Sequence, residues 1–160
     1  SATIEEVGLL NYIKTHSEEY TFIDRSIAKN EEEKRQIHAK AILSDYYLMS
    51  TNAFTMDGQL VNIDGNGNRV SALCYGPKHV VIITGMNKLT PSVEDAYKRI
   101  RQDACPPNCV RLGLPTPCSK TGVCGDCMSA SSICDLFVTT RMSRYPDRIH
   151  IIMVGEELGY

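Results

Sequence analysis

His79-Val80-Val81-Ile82-Ile83-Thr84 is a run of mostly β-branched residues without polar alternation, the pattern of a strand buried on both faces in a parallel sheet. Upstream, Val70, Ala72, Leu73 and Cys74 form a run too short for periodicity to assign, and a helix with Cys74 in the core is the preferred reading. Gly76-Pro77 ends it. Downstream, Val93, Ala96, Tyr97 and Ile100 recur at helical spacing and predict a helix from about Ser92 to Ala104. Helix, buried strand, helix is the repeating unit of a layered α/β domain.

The flanks continue the alternation. Ile4, Val7, Leu10 and Ile13 predict a first helix from Thr3 to Thr15, with Thr3 and Glu6 at capping-box spacing, and a short strand follows near Tyr20 to Ile23. Glu31-Glu32-Glu33-Lys34-Arg35 opens a second helix, acids at its positive end, with Ile37, Ala41 and Ile42 facing inward. Strands are predicted over Asp45 to Ser50, over Gln59 to Ile63 after the turn pair Asp57-Gly58, and near Leu136 to Thr140 and Ile149 to Val154. The expected fold class is α/β, a layered domain with a largely parallel sheet, formed as one domain over 1–160. The chain opens on Ser1 with a helix and no strand to feed it, so an earlier portion is expected to precede it.

Charge narrows the function. Seventeen Lys and Arg against 19 Asp and Glu give a net charge of −2, without the basic field that recruits nucleic acid. The apolar run around Val80 to Thr84 is too short to cross a bilayer, and the amino terminus lacks a basic-then-apolar signal pattern. A cytoplasmic protein without a membrane span is expected, its oligomeric state open.

Six of the seven cysteines fall between Cys105 and Cys134 in a segment rich in Pro, Gly and Ser. Clustered thiols in an intracellular chain point to metal rather than to a disulfide framework. Cys118-x5-Cys124-x2-Cys127-x6-Cys134 supplies four thiolates, enough for tetrahedral zinc or for the corners of a [4Fe–4S] cluster, and the cluster is the preferred cofactor. Its spacing matches neither the bacterial nor the plant ferredoxin run. Cys105 and Cys109, stiffened by Pro106 and Pro107, are secondary candidates. The competing reading is a loop of reduced, unliganded cysteines.

A second constellation is Asn62-Ile63-Asp64-Gly65-Asn66-Gly67-Asn68-Arg69, whose glycines permit positive φ and whose end can open a helix. Ser50, Thr51 and Asn52 follow one predicted strand, and Asn87 and Lys88 follow another, where α/β sheets bind ligands. Ser50, Asn52, Asp64, Gly65, Gly67, Asn68, Arg69, Asn87 and Lys88 therefore form the candidate site for a small carboxylate or phosphate, with Arg69 and Lys88 as its cations. The alternative is a structural turn in which Asp64 and Asn68 satisfy backbone amides. The four histidines form no recognisable pair, and no Ser/His/Asp order, Walker loop or zinc-protease motif is present.

Taken in order, Ser50-Thr51-Asn52-Ala53, Asp57-Gly58, Asn62 through Val70, Gly76-Pro77-Lys78, Gly85-Met86-Asn87-Lys88, Thr116-Pro117-Cys118 and Val154-Gly155-Glu156-Glu157-Leu158-Gly159 resemble the lactate-utilization (LUD) domain family over nearly the whole chain. The cysteine-containing form is similar to stand-alone members related to lactate-utilization protein C. The resemblance implies a fold like that of the ribose-phosphate isomerase and CoA-transferase superfamily, a Rossmann-like layered α/β domain with a largely parallel sheet. It also implies a place beside the iron–sulfur subunits that oxidise L-lactate to pyruvate in bacteria. Members usually carry a further strand and a glycine-containing turn before the segment equivalent to Ser1, so Ser1 and Thr3 would be what remains of one pocket wall. On this basis the chain is expected to be an accessory or redox subunit of organic-acid utilization. Two alternatives stand beside it: an enzyme or sensor for a phosphorylated sugar or CoA-like ligand with a structural zinc site, and a partner-docking module.

Overall fold

A computed structural model describes residues 1–160. Its strands are β1 Tyr46–Met49, β2 Ala53–Thr55, β3 Leu60–Asp64, β4 His79–Gly85, β5 Leu89–Thr90, β6 Leu136–Thr140 and β7 Ile149–Val154. The β-branched run is β4, the centre of a parallel sheet ordered β1-β4-β7. Its register sets Tyr47 opposite Val80 and Ile82 opposite Ile151. Val80 and Ile82 are fully buried, as a central strand covered on both faces requires. The remaining strands form a second, mixed sheet ordered β5-β2-β3-β6, in which β3 runs antiparallel to both neighbours.

The helices are α1 Ala2–Glu6, α2 Leu9–Thr15, α3 Glu31–Ile42, α4 Asn68–Cys74, α5 Val93–Arg99, α6 Cys105–Arg111 and α7 Pro117–Thr121. Asn30 caps α3, its Oδ1 accepting the Glu33 N–H at 2.8 Å, while Ile37, Ala41 and Ile42 are only half-buried. Ser92 caps α5 in the same way. Two cores result. One joins Ala53, Val61 and Ile63 of the mixed sheet to Ala96, Ile100, Ala104 and Cys105; the other joins Met49, Phe54, Leu60, Leu73, Val80 and Ile82. Each fully buried Leu, Ile or Val here contributes about 1.5–3 kcal/mol.

Five local features differ from the sequence expectation. The first helix breaks at Gly8, whose φ of 74° no helix continues through. Tyr20 to Ile23 is not a strand; it has no ladder partner, and Tyr20, Phe22 and Ile23 stay exposed. β2 and β5 hold three and two residues, too few to show a period. The helix after Ser92 does not end near Ala104: it passes through a π turn at Ile100–Ala104 into α6. Pro106 and Pro107 lie in the first turn of α6, where the missing N–H costs little. Cys74 is exposed rather than core, because α4 turns Val70, Ala72 and Leu73 inward and its last residue outward. Arg148, almost fully buried, donates to the carbonyls of Ala72, Leu73 and Pro77 at 2.8, 2.7 and 3.1 Å and so completes the end of α4.

Candidate functional site

The carboxyl ends of β1 and β4 meet at Lys88. A 3₁₀ turn at Met86–Lys88 follows β4 and carries the side chain inward until it is only 3% exposed. Its Nζ donates to Thr3 Oγ1 at 3.0 Å and to Ser50 Oγ at 3.2 Å. No carboxylate lies within ion-pair distance of it. Burial, with a smaller contribution from nearby Arg99 and against a weaker pull from Glu6, pushes the Lys88 ammonium down to about 8. The C-terminal strap closes over this spot. Asn87 Nδ2 donates to the Gly159 carbonyl at 3.2 Å, its Oδ1 accepts the Leu158 N–H at 3.2 Å, and Glu6 Oε2 accepts the Gly159 N–H at 2.7 Å.

Arg99 was not singled out from sequence, yet it ties this region together. Its Nε donates to the Asn87 carbonyl and its Nη1 to the Asn52 carbonyl, both at 2.9 Å. Only its helical position in α5 signalled it, with nothing to separate it from a surface cation. Thr3 is 1% exposed, buried where its hydroxyl accepts from Lys88.

Arg69 faces elsewhere. Its Nε is 3.2 Å from Asp64 Oδ1, and its Nη2 donates to the Ile63 carbonyl at 2.9 Å and to Asn52 Oδ1 at 3.3 Å. Asp64 Oδ2 accepts the N–H groups of Arg69 and Val70 at 3.1 and 3.4 Å. The protein's own carboxylate thus sits where the opening of α4 would attract an anion. Gly67 adopts φ 79° to begin α4, and Asn68 is its first residue. A Cβ on Gly65 would lie 3.2 Å from Ile133 Cα, and one on Gly67 would lie 2.8 Å from the Leu136 side chain. The glycine-rich loop is therefore packed against the end of the cysteine segment, while Ser50, Asn87 and Lys88 gather at the strand ends.

All six clustered cysteines line one cavity of about 70 Å³, with Arg101, Asp126 and the hydroxyl-bearing Thr116 and Ser132 among its other walls. Cys118, Cys124, Cys127 and Cys134 are all included. Cys105 and Cys134 are in sulfur-to-sulfur contact at 3.3 Å. That contact and burial push the Cys105 thiol up, while the same contact pulls the Cys134 thiol down, with Arg101 helping. Thr116 Oγ1 lies 3.3 Å from Cys118 Sγ, and Cys109, its thiol pushed up by burial, neighbours Cys118. Cys127 reaches Ser129 Oγ at 3.8 Å, and Arg101 stands beside Cys124 while pairing with Asp126 at 2.6 Å. No three Cys, His, Asp or Glu side chains are drawn together as a finished coordination sphere. Four of the thiols meet in twos, Cys105 with Cys134 and Cys109 with Cys118, while Cys127 neighbours Ser129 and Cys124 neighbours Arg101. A separate depression of about 320 Å³ between the sheets is lined by apolar side chains including Phe54, Met86, Leu89, Ile151 and Met153, and carries no titratable group.

A largely parallel sheet with polar groups at its strand ends, and helices packed on it, defines a Rossmann-like α/β protein. The chain belongs to the LUD domain family, whose pattern matches residues 1–154. Comparison with the curated proteins and with the solved structures returned no match. No helix is long and apolar enough to cross a membrane.

Proposed function

We propose that this chain is an accessory or redox subunit of lactate or related organic-acid utilization. It binds a small carboxylate or phosphate at the Lys88 crevice and holds a metal or iron–sulfur centre through Cys118, Cys124, Cys127 and Cys134. Membership of the LUD domain family supports the pathway. The observation that carries the centre is the convergence of those four cysteines on one cavity. The donor chemistry fits: thiolates suit zinc and iron–sulfur clusters, and the Arg101 guanidinium, shared with Asp126, stands beside Cys124. A bound cluster supplies one-electron transfer and bound zinc a structural clamp. The chain's own residues supply the surroundings. α6 and α7 wall the cavity, Thr116 orients Cys118, and Arg101 stands by Cys124. Partners of this reading are the iron–sulfur subunits of lactate oxidation.

Anaerobic reconstitution with iron and sulfide tests it. Broad visible absorbance that disappears when Cys124 and Cys127 are both changed to Ser is expected; unchanged absorbance in that variant, or none in the parent, contradicts the iron–sulfur assignment.

One observation favours a second reading, a phosphorylated sugar or CoA-like ligand with structural zinc. Lys88 is a buried cation with hydroxyl partners and no carboxylate, so an anion is the missing counter-charge, and a phosphate meets that need more fully than a carboxylate. Titration calorimetry with phosphate-bearing compounds against lactate and pyruvate separates the two: tighter binding of lactate or pyruvate removes this second reading.

A further inference from the structure

We infer that Cys105 and Cys109 are themselves ligands, and that all six cysteines build one polynuclear centre for thiophilic metal ions, seated on α6. This rests on the cysteine site proposed above and enlarges it. The contacts of that site point toward α6. Cys134 meets Cys105 at 3.3 Å, and Cys118 neighbours Cys109, so two of the four expected ligands already pair with the helix rather than with Cys124 or Cys127. Cys105 and Cys109 stand four residues apart on one helix, which places their side chains on the same face. Both are buried, at 7% and 1% exposure, and both line the cavity that Cys118, Cys124, Cys127 and Cys134 also line.

The chain path enforces the convergence. The Leu114 N–H returns to the Cys109 carbonyl at 3.0 Å, and Thr116 caps α7, its Oγ1 accepting the Ser119 N–H at 3.4 Å, so that Cys118 is set back against α6. Helix-borne ligands are held more tightly than loop ligands, so α6 is the rigid half of the site and the Cys124 to Cys134 loop is the half that adjusts.

Donor count fixes the nuclearity. A tetrahedral ion uses four thiolates, and six exceed one such sphere. Around a single ion two of the six would stay neutral thiols, the form that burial favours for Cys105 and Cys109, so it is a second ion that would enlist them as ligands. Two divalent ions sharing two bridging thiolates would use all six donors, four to each ion.

Cadmium-113 added anaerobically to the reduced, metal-free chain is the probe, read by cadmium–proton correlation in solution NMR. Correlations to the Hβ protons of Cys105 and Cys109, together with those of the other four, and at least two cadmium resonances are expected. Correlations confined to Cys118, Cys124, Cys127 and Cys134 with a single resonance overturn this inference and leave the four-cysteine site standing. Cadmium that is not retained, or that correlates with none of these cysteines, overturns both. The readout is taken on the unsubstituted chain, so it does not depend on whether a serine at buried position 105 or 109 is tolerated.

Discussion

Replacing Lys88 with Met should make the protein more stable and less able to bind anions, because Lys88 is a charge held in a place that disfavours charge. Lowering its pKa from 10.5 to about 8 corresponds to about 3 kcal/mol of destabilisation at neutral pH. Met keeps the aliphatic stem and removes the charge. It also removes the hydrogen bonds to Thr3 and Ser50, about 1 kcal/mol in sum once those hydroxyls find other partners. A net gain of about 2 kcal/mol remains, or about 4–8 °C in melting temperature for a chain of this size. The pH dependence is the sharper part. Between pH 8 and 10.5 the unfolded chain holds a proton on this lysine that the folded chain has lost, so this group's contribution to folding stability rises with pH across that window and levels off above it. Urea unfolding of both proteins at a series of pH values should therefore show the Met variant ahead at pH 7, its lead shrinking between pH 8 and 10.5, and the curves crossing before the upper end of that window, where only the lost hydrogen bonds still separate the two. Phosphate or lactate should raise the melting temperature of the parent and leave the variant unmoved. A variant less stable than the parent at pH 7, or a stability difference independent of pH, would refute the reasoning.

Further outcomes follow from particular contacts. Gly65→Ala places a Cβ 3.2 Å from Ile133 Cα and should cost about 1 kcal/mol by chemical denaturation while lowering metal retention, since Ile133 adjoins Cys134. Arg148→Met leaves the carbonyls of Ala72, Leu73 and Pro77 without their donor, and thermal unfolding should report a loss of about 3 kcal/mol. Gly159→Val sets a β-branched residue at φ 60° with its Cβ 2.6 Å from Thr3 Oγ1; the strap should lift, read as faster amide exchange at Leu158 and faster acylation of Lys88.

The strongest elements were legible because a single local signal decides each one. β4 announces itself by its β-branched run, and α3 by acids after Asn30. What escaped depended on neighbours. The helix expected from Thr3 to Thr15 runs through Gly8, whose φ breaks it, and Pro106-Pro107 lies past the expected helix end near Ala104 although it falls in the first turn of α6. The site divides along the same line. Lys88, Asn87 and Ser50 could be placed because strand ends are where α/β sheets open to ligands. Arg69 could not be separated from them without seeing Asp64, five residues away in sequence, take up its guanidinium. Arg99 and the pairing of Cys105 with Cys134 span 12 and 29 residues, distances over which spacing carries no information.

The cysteine centre is the claim on which the proposed role turns, and metal content tests it most directly. The chain purified without oxygen should carry iron with acid-labile sulfide, or zinc, in stoichiometric amount, and should lose it when Cys118, Cys124, Cys127 and Cys134 are replaced by Ser. A parent protein that carries no metal after anaerobic purification and takes up none on reconstitution would contradict the account.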